Sequence, residues 1–464
     1  MQTRFFCTAG RGMERFVSEE VTQKLSATEV EVMSGKVFFS AEPDLCRLKQ
    51  LKSAERLFLL LKKGSPLSLP KNKGIARLKV NEYINEQPQL WLQCFAIWEK
   101  LQEKALSAAH GDHENVAKRK SQSTSYLKTS KRSKQDAAFE SPVQKHKNCS
   151  EDQKVMGNDG LNVTEKQFVS QSSSDPVTFR VSCRCSGSNA KVFTAQELGY
   201  LIASSLTKQF DWKPNVRMPI LEVFVHLNDL YSVVGFPVLR HPLANRSYTR
   251  NTGLRSTTAW AMGSLAEIST GALVLDPMCG VGTILVEAAK EWPHGQFFGI
   301  DIINSQLESA VVNVKKAGLQ EVIEFLKGSV LDLPIVSGSI DAVISDIPFG
   351  RKFMSTKNMK ELLPAILREM ERVLRVGGVI VLLLSQSLYH HLKVNFYFNG
   401  ADSRRFSIAD KDSLNTDKGG SKEDIANKTI WFDMLVPLES HSVSLGVTEA
   451  VIFKCKKTIS SLTL

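Results

Sequence analysis

Apolar and polar positions change their period several times along the chain, and each change marks a predicted element. In the carboxyl half, Leu273, Val274 and Leu275 form a short apolar run that ends in Asp276. After Gly280-Val281-Gly282, apolar residues recur at helical spacing from Thr283 to Glu291. The alternation continues with strands predicted near 297, 323, 341 and 379 and helices from 304 and 359. Short apolar strands separated by helices predict parallel crossovers in an open α/β sheet. Val376-Gly377-Gly378 reads as a helix end before the buried strand Val379 to Leu384. Lys393 to Lys428 is polar and irregular, so a loop is predicted there, and Trp431 to Val436 with Val447 to Lys454 predict a terminal antiparallel pair.

From Arg4 to about Lys104 the two periods mix. Phe5 to Cys7 and Val37 to Ser40 read as strands, Met13 to Leu25 as a helix, and Asp44 to Leu51 followed by Arg56 to Leu61 as helix then strand. Trp91 to Leu106 is amphipathic, with Leu92, Phe95, Ile97, Trp98, Leu101 and Leu106 mostly on one side, which assigns the aromatics to a core rather than a base-stacking platform. From Ser107 to Asp175 polar residues dominate and no period survives. Such a segment cannot offset its ordering entropy by burial, and disorder is predicted. Each doubling of a loop costs only about 0.6 kcal/mol, so an insert of this kind can interrupt a domain without unfolding it. Order resumes with a strand from Val177 to Cys183, a helix from Ala195 to Phe210 capped by Thr194, and Leu221 to Leu227 pairing with Leu230 to Phe236 across Asn228-Asp229.

The 464 residues suggest two or three domains, and 42% hydrophobic residues suffice for packed cores. An excess of 59 Lys+Arg over 48 Asp+Glu, +11 in net charge, favours a polyanionic partner. Part of that charge lies in the polar insert, in Lys118-Arg119-Lys120 and Lys131-Arg132-Ser133-Lys134. A nuclear localisation signal, a loose RNA tether and a solubilising linker all fit those clusters. The connector from Leu239 to Leu254, with Arg240, His241, Arg246 and Arg250 and then Arg255, is also basic. Phosphate contacts and a solvated bridging loop both fit it, and His241 reads as structural. Eight cysteines without paired metal-type spacing predict reduced thiols, a cytosolic or nuclear setting and no metal site. No run approaches the roughly 18 apolar residues of a membrane span, and the first residues show no signal peptide.

The chemistry concentrates at the predicted strand ends. Asp276, Asp301, Asp332 and Asp346 follow successive strands, where a doubly wound sheet presents them at one rim. Gly280 and Gly282 let backbone approach a ligand, and the helix start behind them offers free N–H groups. A dinucleotide-binding domain is the rival, but its third glycine is replaced by Leu285 and Asp276-Pro277 is foreign to that turn. The run Leu273 to Thr283 instead resembles the cofactor loop of class I methyltransferases that use S-adenosylmethionine.

That resemblance implies roles for each residue. Asp276 would sit beside the cofactor's cationic amino group, with Pro277, Cys279, Gly280 and Gly282 lining its methionyl part. Asp301 would accept both ribose hydroxyls, and Asp332 would accept from the adenine amino group. Cys279 reads as a small packing residue rather than a nucleophile. Asp346-Ile347-Pro348-Phe349-Gly350 is similar to the Asp/Asn-Pro-Pro-aromatic pattern of methyltransferases acting on exocyclic amines of bases, with Ile347 in place of the first proline. Asp346 and the carbonyl of Ile347 would accept from the amine, and Phe349 would stack on an extruded base, a contact worth about 1 to 3 kcal/mol.

Thr178-Phe179-Arg180-Val181, Thr194-Ala195-Gln196-Glu197-Leu198, Pro219 and Val233-Val234-Gly235 resemble a THUMP domain. Leu254-Arg255-Ser256-Thr257-Thr258-Ala259 resembles the opening of the catalytic half in THUMP-containing methyltransferases, and the form Asp346-Ile347-Pro348-Phe349-Gly350 is similar to that of the THUMP-domain RNA guanine-N2 methyltransferases. The resemblance implies a ferredoxin-like part over 1–106, the disordered basic insert over 107–175, a THUMP domain over 176–240 and a Rossmann-like methyltransferase domain over 241–464. It also implies tRNA as substrate, whereas the basic insert would suit a nuclear target such as a spliceosomal small nuclear RNA, and it implies a small zinc-containing activator subunit that adds a strand to the sheet edge. Two other classes stay open: an inactive RNA-binding scaffold, and a methyltransferase acting on a protein or DNA amine. The insert favours a nuclear over a cytoplasmic setting.

Overall fold

Alternating residues decide which way each strand faces. The computed structural model describes residues 2–103, 176–251, 253–348, 356–399, 434–446 and 448–459. The chain groups into two units, Met1–Phe58 with Leu239–Leu464, and Leu59–Val238.

In the first unit β1 (Thr3–Thr8) is followed by α1 (Glu14–Leu25), β2 (Thr28–Met33), β3 (Lys36–Ala41) and α2 (Leu45–Leu48). β1 and β2 flank β3 in antiparallel register, and Phe5, Phe6, Phe38 and Phe39 are fully buried. β2 was not expected from the pattern, because most of its side chains stay exposed and no buried alternation marks it. The helix expected from Asp44 to Leu51 is a single turn, with Asp44 accepting from Cys46 N at 2.9 Å.

β4 (Arg56–Gly64) begins in this unit and runs into the second, which adds α3 (Lys73–Asn85), α4 (88–103), β5 (Thr178–Cys185), α5 (Ala195–Phe210), β6 (Lys213–Pro214), β7 (Leu221–Leu227) and β8 (Ser232–Pro237). Its strands lie in the order β4-β8-β7-β5-β6. Thr194 and Glu197 form the capping box that starts α5, each side chain accepting from the other's backbone N–H. The α4 aromatics are core residues as expected, with Trp98 Nε1 donating to Pro237 O at 2.8 Å, but Leu92 points to solvent. β8 starts later than expected, because Asn228 Oδ1 takes the amides of Leu230 and Tyr231, both at 2.8 Å, and holds them in the turn.

The rest of the first unit runs α6 (Ser256–Leu265), β9 (Leu273–Asp276), α7 (Thr283–Glu291), β10 (Gln296–Asp301), α8 (Asn304–Ala317), β11 (Ile323–Lys327), β12 (Ile340–Asp346), α9 (Thr356–Val373), β13 (Leu374–Ser385), α10 (Gln386–Asn399), β14 (Leu435–Leu445) and β15 (Thr448–Lys457). Seven strands form one sheet in the order β11-β10-β9-β12-β13-β15-β14, parallel from β11 to β13 and antiparallel beyond. Val274, Ile344 and Val381 share one core with α6, α7 and α8; their neighbours Leu275, Val343 and Ile380 share the other with α9 and α10. Both faces are covered, which is why these strands read as continuous apolar runs.

Three expectations needed correction here: Val376-Gly377-Gly378, read as a helix end, lies inside β13, because α9 already stops at Val373. The loop expected from Lys393 is helical as far as Asn399, and the terminal pair is longer than its apolar pattern, with β14 reaching Leu445. Residues 400–428 of that loop, Trp431 of the pair, and the insert 107–175 lie outside the described residues.

The amino-terminal segment belongs to this unit through packing and charge. Met13 and Phe16 share a core with Val443, and Arg11 O accepts from Ser444 N at 2.9 Å. Gly12 has φ +86°, and a Cβ there would lie 1.9 Å from Ser442 O, so only glycine fits. Buried Glu20 accepts from the amides of Lys52 and Ser53, and Lys24 bridges Glu20 (2.9 Å) and Glu291 (2.7 Å).

Candidate active site

The strand order reverses beside β9: β10 and β11 lie to one side of it and β12 and β13 to the other. Open α/β sheets bind ligands at the carboxyl ends of the strands flanking such a reversal. Asp276 ends β9 and Asp346 ends β12 at that point, and Asp301 ends β10 next to it.

Asp276 is buried, and its Oδ1 accepts from Met278 N at 3.2 Å and from Ser345 Oγ at 3.0 Å. Burial pushes its pKa up to about 8 against the pull of those two bonds, and the neighbouring Asp346 and Asp301 raise it further. Asp346 is pushed up to about 7 by burial. Ser345, fully buried one residue before Asp346, is a residue the sequence reading missed; its hydroxyl ties the end of β12 to Asp276 at the end of β9.

Asp301 does two jobs at once. Its Oδ2 accepts from Gly280 N at 2.9 Å and its Oδ1 from Ile303 N at 2.8 Å, so it pins the glycine loop to the end of β10. An ionised carboxylate has about four lone-pair positions, which leaves each oxygen able to accept once more. Gly280 has φ +52° and Gly282 φ +75°, both in the left-handed region. A Cβ on Gly282 would come within 3.2 Å of Phe325 and 3.3 Å of Ala310, whereas one on Gly280 meets nothing closer than Gln306 at 3.8 Å. Gly282 therefore serves packing, and Gly280 keeps one side of the loop clear.

Pro277 and Cys279 are buried, and the Cys279 thiol pKa is pushed up by burial and by Asp276 and Asp301, which suits packing and not nucleophilic attack. Ile347 is fully buried and its N–H donates to Leu383 O at 3.1 Å, carrying strand pairing one residue past Asp346. Pro348 follows half-buried, and Phe349 lies outside the described residues. Asp332 is exposed on the loop after β11, five residues beyond the strand's end at Lys327, so it is placed by a turn and not by a strand terminus.

Two further residues shape the loop. Asn313 on α8 is buried; its Oδ1 accepts from the amides of Arg250 and Asn251, and its Nδ2 donates to Asn251 O and Val281 O. Thr283 Oγ1, at the start of α7 immediately after Gly282, is buried with no hydrogen-bond partner among the described residues. The connector arginines divide: Arg246 is buried against Glu287 at 3.1 Å and is neither a phosphate contact nor a solvated linker residue, and Arg255 pairs with Glu55 at 3.2 Å. His241 is exposed. Among the described residues no group of three or more His, Cys, Asp or Glu could hold a metal, and no helix is long and apolar enough to cross a membrane.

The comparisons with known proteins match this architecture. Residues 244–391 match the family described as an RMKL-like methyltransferase domain. A U6 snRNA (guanine-N(2))-methyltransferase, THUMPD2 of Bos taurus, is 44% identical over 98% of this chain and 96% of its own length. The chain belongs to the THUMPD2 family. The tRNA (guanine(6)-N(2))-methyltransferase THUMP3 of Bos taurus is a more distant relative of the family, 26% identical over 83% of this chain and 81% of its own. The crystal structure of TrmN from Thermus thermophilus shares the fold, with a TM-score of 0.62 at 17% identity, covering 98% of this chain and all of that one.

S-adenosylmethionine is the cofactor of this methyltransferase fold, and the residues present fit it. An unpartnered buried hydroxyl at a helix N-terminus suits a carboxylate, a glycine loop with one clear side suits an extended chain, and a buried carboxyl suits an ammonium.

Proposed function

We propose that this chain is an S-adenosylmethionine-dependent RNA methyltransferase acting on the N2 amine of a guanosine, with U6 small nuclear RNA as the substrate favoured by the closer relationship to THUMPD2. The observation that carries the reading is the pair of carboxyls on adjacent strand ends, Asp276 buried and Asp346 half-buried, with their pKa values raised to about 8 and about 7. Asp276, Gly280, Gly282, Thr283, Asp301 and Asp332 would hold the cofactor, which supplies an electrophilic methyl group on a sulfonium.

An exocyclic amine is a poor nucleophile because its lone pair is delocalised into the ring. Asp346, partly ionised near neutrality, accepts a hydrogen bond from that amine and localises the lone pair; the Ile347 carbonyl is the proposed second acceptor and Phe349 the proposed stacking partner. As the nitrogen–carbon bond forms, the methyl–sulfur bond would break with its electron pair left on sulfur, and the amine's proton would pass to Asp346 and then to solvent. Flipping the base costs a few kcal/mol, recovered by the grip of the THUMP-like 59–238 unit on the rest of the RNA.

A zinc-containing activator subunit is proposed at the edge strand β11, supported by the exposed apolar side chains of Leu326 there and of Val311 and Val312 on α8. Nuclear localisation is proposed from the basic clusters of the insert. The test is methyl transfer from labelled cofactor to a U6 transcript by the full chain with its activator. Asp346→Ala should abolish transfer while leaving cofactor affinity unchanged. Normal turnover by that variant would overturn the catalytic assignment, and label on protein or DNA instead of RNA would overturn the substrate.

A further inference from the structure

The loop between β11 and β12, residues 328–339, has almost no regular structure of its own, yet it is held at five points by the last turns of α9. Arg372 Nη2 donates to Leu333 O at 3.0 Å, and its Nη1 donates to Ile335 O and to Ser337 Oγ, both at 2.9 Å. Glu369 Oε1 accepts from Leu333 N at 2.7 Å, and Arg372 O accepts from Gly338 N at 2.9 Å. The two side chains are locked to each other as a fork, Nε to Oε2 at 2.8 Å and Nη2 to Oε1 at 2.7 Å. Leu333 is thereby fixed through both its N–H and its carbonyl and is buried. Asp332 is the residue before it, and its own N–H donates back to Ser329 O at 3.2 Å.

A partly exposed ion pair contributes little to global stability. Spending five bonds on one short loop makes sense as a device for placing what that loop carries. Its carboxylate is Asp332, near enough to Arg372 for their charges to interact.

We propose that Arg372 and Glu369 are positioning residues for cofactor recognition: they hold the 328–339 loop so that Asp332 meets the purine amino group. This rests on the role assigned to Asp332 above. The lysine side chain could keep the charge at 372 but not the planar fork that reaches two carbonyls and a carboxylate together, so the proposal requires arginine specifically.

The test is calorimetric titration of the full chain with S-adenosylhomocysteine, together with steady-state methylation of a U6 transcript. A loop correctly placed about a tenth of the time raises the apparent Kd about tenfold, and that is the loss expected for Arg372→Gln. Arg372→Lys and Glu369→Gln, which disturb the fold less, should show most of the same loss. The KM for S-adenosylmethionine should rise while kcat at saturating cofactor stays unchanged, a split that a general loss of folded protein would not give. The double variant of Asp332→Ala and Arg372→Gln should bind no more weakly than Asp332→Ala alone. If Asp332→Ala weakens binding and the Arg372 variants do not, or if the two losses multiply, the positioning role is wrong. If Asp332→Ala binds as the unmodified chain does, the assignment of Asp332 falls, and the positioning role with it.

Discussion

Protons should leave when the cofactor arrives. Asp276 has a pKa of about 8 before binding because burial disfavours its charge, so at pH 7 its carboxyl is about nine-tenths protonated. Facing a cationic amino group it must ionise, releasing about 0.9 proton at that pH. An α-amino group of pKa about 7.8 is slightly deprotonated at pH 7 and takes up about 0.1 proton on pairing, leaving a net release of about 0.8. The sign reverses at higher pH: near pH 9 the carboxyl is already ionised, the free amine has lost its proton, and binding takes up about 0.8. Affinity should therefore rise with pH below about 8 and fall above it. Titration at pH 7 in buffers of different ionisation enthalpy measures the release directly, and Asp276→Asn should abolish it while weakening binding. An ordinary carboxylate of pKa about 3.8 would give a small uptake instead of a release. Uptake at pH 7, or a release that survives Asp276→Asn, would refute the pairing.

Other perturbations follow from the same geometry. Glu287→Ala leaves the Arg246 guanidinium buried without its anion and should cost about 3 to 5 kcal/mol in urea unfolding; a loss under about 1 kcal/mol would mean the pair is solvated. Thr283→Val removes a hydroxyl that has no partner, so melting of the cofactor-free protein should be unchanged or slightly raised while affinity for S-adenosylhomocysteine falls; unchanged affinity would exclude Thr283 from the site. Gly280→Ala and Gly282→Ala each impose a left-handed residue at about 1 to 2 kcal/mol. Gly282→Ala also crowds Phe325 and Ala310, so it should lower the melting temperature more, whereas Gly280→Ala should cost more in affinity than in stability.

Strand ends were legible because two signals coincide at them. Leu273-Val274-Leu275 and Ala342-Val343-Ile344 are apolar on both faces, and an acid follows each run at once or after one residue, so both the sheet and the rim that carries Asp276 and Asp346 could be read directly. Asp332, read as a strand-end acid, lies instead on the loop after β11, where a turn and the α9 fork position it. What the pattern hid are polar residues at buried positions. Ser345 reads as a strand filler, Asn313 as an exposed helix residue and Glu20 as one more acid on an amphipathic helix, and only pairing across the fold gives each its partner. α3 was missed although Asn72 caps it, accepting from Gly74 N and Ile75 N, because only Ala76, Val80 and Ile84 are buried along it. Arg246 shows the converse: a basic run looks like an interface until one member is found neutralised in the interior.

Gly12 and Phe16 are synthesised long before their partners Ser442, Val443 and His441. The segment that carries them must wait, unsatisfied, while the whole of Leu59–Val238 is synthesised and free to fold ahead of it. Completion of the catalytic half is thus deferred until β14 has been made, and a polypeptide stalled or cut short before β14 would leave Met13 and Phe16 without Val443 to pack against.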